Sequence, residues 1–145
     1  FDPPAGLEAV LVVPHRSVRT AKARAALPPE VPMGEAVFNI GRASLLVLGL
    51  ARGDLDLVSQ GLADRLHQPR RASLYPRSME LVERASELGA LGATVSGAGP
   101  SVLVWTRAEA AAGVAARLER EARGWAAVMR VPFSAAGVEV RTSGI

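Results

Sequence analysis

The order of local patterns along the 145 residues predicts an α+β domain, an antiparallel sheet of about four strands with helices packed on one face. Three observations carry this. A β-branched apolar run stands near the start, at Leu7–Val13. Two apolar runs further on are joined by only four residues, Gly97-Ala98-Gly99-Pro100. The segments between and after them repeat apolar residues at three- and four-residue steps. Strands joined by so short a turn are antiparallel neighbours, which excludes a doubly wound parallel sheet.

Taken in order, Leu7–Val13 reads as a buried strand closed by Pro14. Thr20 can cap a short helix through Leu27, stopped by Pro28-Pro29. A helix is expected from Pro32 to Arg52, ended by Gly53. Val37, Phe38, Ile40, Leu45, Leu46, Val47, Leu48 and Leu50 make it apolar nearly all round, which places it in the middle of the domain. Its polar residues Glu35, Asn39 and Arg42 share one face. Asp54 caps a further helix whose Leu55, Val58, Leu62 and Leu66 recur at helical steps. A polar loop is expected over 67–75, then a helix with Pro76 at its first position and Gly89 just past its end. Gly92–Ser96 and Ser101–Trp105 are strands. Thr106 and Glu109 suggest a capping box for a helix to about Arg123, and Val138–Arg141 reads as the last strand, with 127–131 ambiguous.

Composition narrows the chemistry. There is no Cys, hence no disulfide framework, thiol nucleophile or thiolate metal site, and with His15 and His67 the only imidazoles a multi-His zinc site is out. No metal site is expected in this chain. The 26 Ala inflate the hydrophobic fraction of 49%, yet 45 larger apolar residues remain, enough for a core. The basic residues are 16 Arg and one Lys against 14 acids, a net charge of +3. They are dispersed, which argues against a nucleic-acid surface. Lys22 stands in Thr20-Ala21-Lys22-Ala23-Arg24, outside any Walker-type phosphate loop. No apolar run approaches the ~18–20 residues of a membrane span, the longest candidate being Ala43–Ala51, so no membrane partner is expected. One domain, 1–145, is expected, and its start at Phe1-Asp2-Pro3-Pro4 reads like a segment of a longer chain.

Three segments could carry chemistry. In Gly89–Ser101 the glycines allow positive φ and close approach, Ser96 and Ser101 add hydroxyls, and the exposed N–H groups could form an anion-binding nest, or the segment is simply a hairpin turn. In Asp64-Arg65-Leu66-His67-Gln68-Pro69-Arg70-Arg71, a guanidinium could hold a carboxylate bidentately, or the pair could be solvated surface. Arg16–Arg24 supplies four cations within nine positions, either for a small anionic ligand or as a solvent-facing turn. Asn39 and Arg42 pose the same choice between pocket and water.

In order and spacing, Ala36-Val37-Phe38-Asn39-Ile40-Gly41-Arg42-Ala43-Ser44-Leu45-Leu46-Val47, the Asp64–Arg71 string and Gly92–Pro100 closely resemble the C-terminal half of the homoserine kinase family, within the GHMP kinase superfamily. The Ser-Gly-Ala-Gly-Pro loop is similar to a motif shared across the superfamily, while Asp-Arg-Leu-His-Gln-Pro points to homoserine kinases in particular. Arg70 stands where an aromatic residue is common, and Ser101 where Thr is common. The resemblance implies a ferredoxin-like GHMP kinase C-terminal domain, cytoplasmic, serving transfer of the ATP γ-phosphoryl to the side-chain hydroxyl of L-homoserine in threonine biosynthesis. It places Arg24 and Arg71 on the substrate carboxylate, Gly97, Ala98 and Gly99 against substrate and terminal phosphate, and Ser96 as a hydroxyl contact. Asn39, Arg42 and His67 become supporting residues, and no catalytic base is assigned.

The family's ATP loop, Pro-x-x-x-Gly-Leu-Gly-Ser-Ser-Ala, is absent from these residues. The resemblance therefore assigns ATP and Mg²⁺ mainly to an N-terminal domain outside this chain, makes that domain a partner, and leaves room for a homodimer. The chain alone is expected to be inactive. Alternatives are another GHMP kinase acting on mevalonate or a sugar, and a non-catalytic amino-acid-binding regulatory module.

Overall fold

Alternation builds the sheet. In β1 (Leu7–Pro14), Val10 and Val12 point to one face, opposite Val104 and Val102 of antiparallel β3 (Val102–Arg107). On its other edge β1 pairs with β4 (Ala126–Val131), and β2 (Gly92–Val95) closes the far edge of β3, giving the order β2-β3-β1-β4 with every pairing antiparallel. The computed structural model describes residues 2–134. The strand expected at Val138–Arg141 lies outside them, and the ambiguous segment is the fourth described strand.

Two helices cover one face. Leu81 of α5 (Pro76–Arg84), with Ala85 and Leu88 beyond it, meets Val114, Ala115 and Leu118 of α6 (Ala111–Glu121) over Val10, Val12, Ala93, Val102 and Val104. Burying each of the larger side chains stabilises the fold by about 1.5–3 kcal/mol. Pro76 occupies the first position of α5, as expected. Past its end the N–H of Ala90 donates to Ala85 O and that of Gly89 to Ser86 O, with Gly89 at φ +86°. This is a Schellman closure that glycine makes cheap.

The other helices form a hairpin beside this sandwich. α1 (Thr20–Ala25) leads into α2 (Met33–Arg52), and Gly53 at φ +68° ends α2. Asp54 then caps α3 (Leu55–Gly61), its carboxylate accepting the N–H groups of Asp56 and Leu57 at 3.1 Å. The two helices touch backbone to backbone: a Cβ on Gly61 would stand 2.5 Å from Leu46 N. Ser59 Oγ donates to Leu91 O at 2.6 Å, and Arg107 reaches Asp56 at 2.7 Å, fastening the hairpin to the ends of β2 and β3.

Several expectations are corrected. α2 is not central: only Gly49 is buried, and Met33, Val37, Ile40, Val47 and Leu48 form an exposed stripe. Its apolar surplus exceeds what α3 alone can cover. With its 20 residues α2 is also long and apolar enough, by length and composition, to cross a membrane, contrary to the expectation that no apolar stretch approaches that length. α3 stops at Gly61 rather than Leu66, because Asp64 captures the following N–H groups. The polar loop is instead α4 (Gln68–Arg71) and a 3-10 turn, Ala72–Leu74. Thr20 begins α1 without capping it, Arg19 standing at the cap. Thr106 is a buried strand residue whose hydroxyl bonds Arg107 O, so no capping box forms with Glu109.

Changing Val37 and Ile40 together to Asn should leave the urea unfolding free energy of the chain within about 0.5 kcal/mol, as for ordinary surface sites. Leu118→Ala should cost about 2–5 kcal/mol. A comparable loss at both positions would return α2 to the core.

Candidate functional site

The site is built around a buried guanidinium. Asp64 begins it: its carboxylate accepts the N–H of Leu66 (3.0 Å), His67 (2.9 Å) and Gln68 (2.5 Å), along with Asn39 Nδ2 (2.5 Å). These bonds curl the chain into α4. Asn39 Oδ1 also accepts the N–H of Arg65 at 2.9 Å, so α2 grips the loop from outside. Gln68 Oε1 accepts the N–H of Val95 at 2.7 Å, pinning the N-terminus of α4 to β2 one residue before Ser96.

Arg70 and Arg71 then diverge. Arg70 turns to α2 and pairs with Glu35. Arg71, only 9% exposed, turns inward: Nε donates to Ala23 O on α1 (2.9 Å) and Nη1 to Gly97 O (3.4 Å). No carboxylate pairs with it among the described residues. A guanidinium has five N–H donors, so three remain after these two bonds.

The loop beside it is a tight hairpin end. Ser96 N donates to Ser101 O and Gly99 N to Ser96 O, with Gly97 at φ +58° and Gly99 at φ +79°. A Cβ on Gly99 would stand 2.7 Å from the Tyr75 ring, so glycine is required there by space as well as by φ. The N–H groups of Gly97 and Ala98 take no partner among the described residues. Ser96 and Gly97 are exposed, while Ala98 and Gly99 are half-buried.

The structure thus brings Arg71, the Ser96–Gly99 loop and α1 to one corner, and Arg24 stands exposed beside the Ala23 carbonyl that Arg71 holds. Asn39 and His67 join Asp64 behind this corner, His67 Nδ1 lying 3.4 Å from Asp64 Oδ1. Arg42 is elsewhere: it donates to Gln60 O at 3.0 Å and stacks with Arg65 on the Phe38 ring, bracing the α2–α3 hairpin. Sequence reasoning gave no individual role to Asp64, Gln68, Glu35 or Tyr75. An Asp four residues ahead of a Gln-Pro helix start is a capping signal that could have found the first.

Two pKa values reflect the packing. Burial alone would raise the Asp64 carboxyl, but the bonds from Gln68, Asn39, Leu66 and His67 outweigh it and hold the group below its ordinary 3.8. Burial pushes the Tyr75 phenol above 10.0 against the pull of Arg71, which its hydroxyl faces without a hydrogen bond of ordinary geometry. Tyr75 is therefore a neutral phenol near pH 7.

Comparison with known proteins bears on the family and the fold. Residues 46–124 match the model of GHMP kinases, C terminal. The chain belongs to that family. A homoserine kinase of Thermus thermophilus is 46% identical over 105 residues, 72% of this chain and 36% of the relative. One of Gloeobacter violaceus is 49% identical over 105 residues, 72% of this chain and 35% of the relative. The chain thus spans about a third of the length of these curated relatives. The crystal structure of a homoserine kinase from Cytophaga hutchinsonii superposes with TM-score 0.82 at 31% identity, covering 90% of this chain and 42% of that one. A mevalonate kinase of L. major shares the fold alone, at TM-score 0.60 and 18% identity over 92% of this chain and 45% of that one.

Because the folded pKa of Asp64 is depressed, its contribution to stability is complete above the unfolded value near 3.9 and is lost as pH falls through the folded value. In acid titrations followed by circular dichroism, Asp64→Asn should flatten the loss of stability below about pH 4. An unchanged acid limb would remove Asp64 from this role.

Proposed function

We propose that the chain is the C-terminal, substrate-side half of an ATP-dependent homoserine kinase, transferring the γ-phosphoryl of ATP to the side-chain hydroxyl of L-homoserine in the cytoplasm. One observation carries the reading: Arg71 is buried and, among the described residues, without a carboxylate partner. A buried guanidinium satisfied only by carbonyls gains from an anion that completes its bonding. The substrate α-carboxylate is such an anion, and the relatives of 46–49% identity are named homoserine kinases.

In this reading Arg71 and Arg24 fix the carboxylate end, and the free N–H groups of Gly97 and Ala98 face the hydroxyl and incoming phosphoryl. Phosphoryl transfer depends mostly on such positioning and charge neutralisation. We assign ATP and Mg²⁺ to the part of the kinase outside this chain, because the family's ATP loop, Pro-x-x-x-Gly-Leu-Gly-Ser-Ser-Ala, does not occur in these residues. The same part covers the exposed stripe of α2 at Met33, Val37, Ile40, Val47 and Leu48. A sugar substrate, which lacks a carboxylate, would leave the Arg71 charge unanswered.

The test uses the kinase that contains this chain together with its ATP-binding half. Arg24→Ala and Arg71→Ala should each lower kcat/KM for homoserine by about 10- to 150-fold, the worth of a charge-assisted bond. Both should also lose the preference for homoserine over 3-aminopropan-1-ol, which keeps the hydroxyl and amine but has no carboxylate. Val37→Glu with Ile40→Glu should loosen the hold of the ATP-binding half, seen as its separate unfolding. Unchanged discrimination in both arginine variants would sink the carboxylate clamp. The 145 residues alone should show no turnover of homoserine and ATP.

A further inference from the structure

Of the four cations in Arg16–Arg24, the reading above uses only Arg24. The other three line a separate cleft of about 1020 Å³ between the β1–α1 connection and the start of α5. Arg16, Arg19 and Lys22 form one side and Arg77 the other. His15 stands at the rim, and Trp125 forms a wall with the Arg77 guanidinium 5.9 Å from its ring centroid. Arg24, Arg71 and the Ser96–Gly99 loop do not line it.

The charge is one-sided. Among the described residues no Asp or Glu lines the cleft, and none of its four permanent cations is in an ion pair. The whole chain has a net charge of +3, so this one cleft carries a larger local surplus than the molecule does. The four cleft cations are exposed, whereas the more buried Arg70 and Arg71 are answered, Arg70 by Glu35 and Arg71 by two carbonyls. Like charges gathered without a counter-ion repel, and a concave wall concentrates their field on whatever enters.

We propose that this cleft binds a small phosphorylated metabolite, its phosphates among Arg16, Arg19, Lys22 and Arg77 and its organic part against Trp125. A di- or triphosphate carries three to four charges near pH 7, matching the four cations. The volume leaves room for a flat organic group on the indole face. The site is distinct from the carboxylate corner and does not depend on the homoserine reading. The two share a wall: Pro100 lines the cleft, Ser78 Oγ donates to Pro100 O at 2.7 Å, and the Tyr75 ring lies between the cleft and Gly99.

The experiment is calorimetric titration of the kinase that contains this chain with inorganic pyrophosphate at low salt, with citrate as a polycarboxylate of similar charge. Pyrophosphate should fill one site per chain beyond any held by the ATP-binding half. Arg19→Gln with Lys22→Gln, and separately Arg77→Gln, should each weaken binding there about 10-fold or more. Arg52→Gln with Arg120→Gln removes the same two charges from exposed sites elsewhere and should leave affinity within about 2-fold. Arg24→Gln should do the same, and matching circular dichroism melts would show that every variant folds. Four results would overturn the proposal: no pyrophosphate site beyond those of the ATP-binding half, equal loss in the Arg52/Arg120 variant (diffuse charge), loss in Arg24→Gln (the carboxylate corner), or citrate binding as tightly as pyrophosphate.

Discussion

The arrangement of this domain turns on one buried cation. Arg71 reaches in one direction to the Ala23 carbonyl of α1 and in the other to the Gly97 carbonyl of the hairpin loop. No other side chain bridges those two segments among the hydrogen bonds of the described residues. A guanidinium suits this task because its donors are rigid and divergent, whereas an ammonium is a point charge on a flexible stem. Desolvating that charge is expensive, and carbonyl dipoles offset only part of the cost. In the proposed reading, that surplus is what the substrate carboxylate would answer.

Everything around Arg71 serves to hold it there. Asp64 gathers three backbone N–H groups and Asn39, so the residues ahead of α4 have one conformation available. Gln68 ties α4 to β2, Glu35 draws Arg70 away, and the Tyr75 ring closes on Gly99. Short α4, with only four residues, has little helical stability of its own. Its geometry is imposed by side chains at its start and by the sheet beside it.

Much of this was legible in the sequence where a local rule is strong. Asp54 as a cap, Pro76 at a helix start, Gly89 past a helix end and the Gly97–Pro100 hairpin each depend on a few neighbouring residues, and the structure has all four. The site strings were visible too, although as chemistry without an orientation: nothing local separates Arg70 from Arg71, because Glu35 lies 35 residues away. The helix over 33–52 was visible but its burial was not. Apolar content says that a surface will be covered and leaves open what covers it. β4 stayed ambiguous because its pattern, half exposed at Ala127, Met129 and Arg130, lacks the clean alternation of a buried strand.

Amide hydrogen exchange in an Arg71→Lys variant measures the central claim most directly. If Arg71 ties α1 to the loop, the amides of Ala26 and Leu27, which close the C-terminal end of α1, and of Ser96 and Gly99 in the loop should exchange at least about 10-fold faster, with Val10 and Val104 in the sheet unchanged. Protection equal to that of the unaltered chain at both segments would contradict the account.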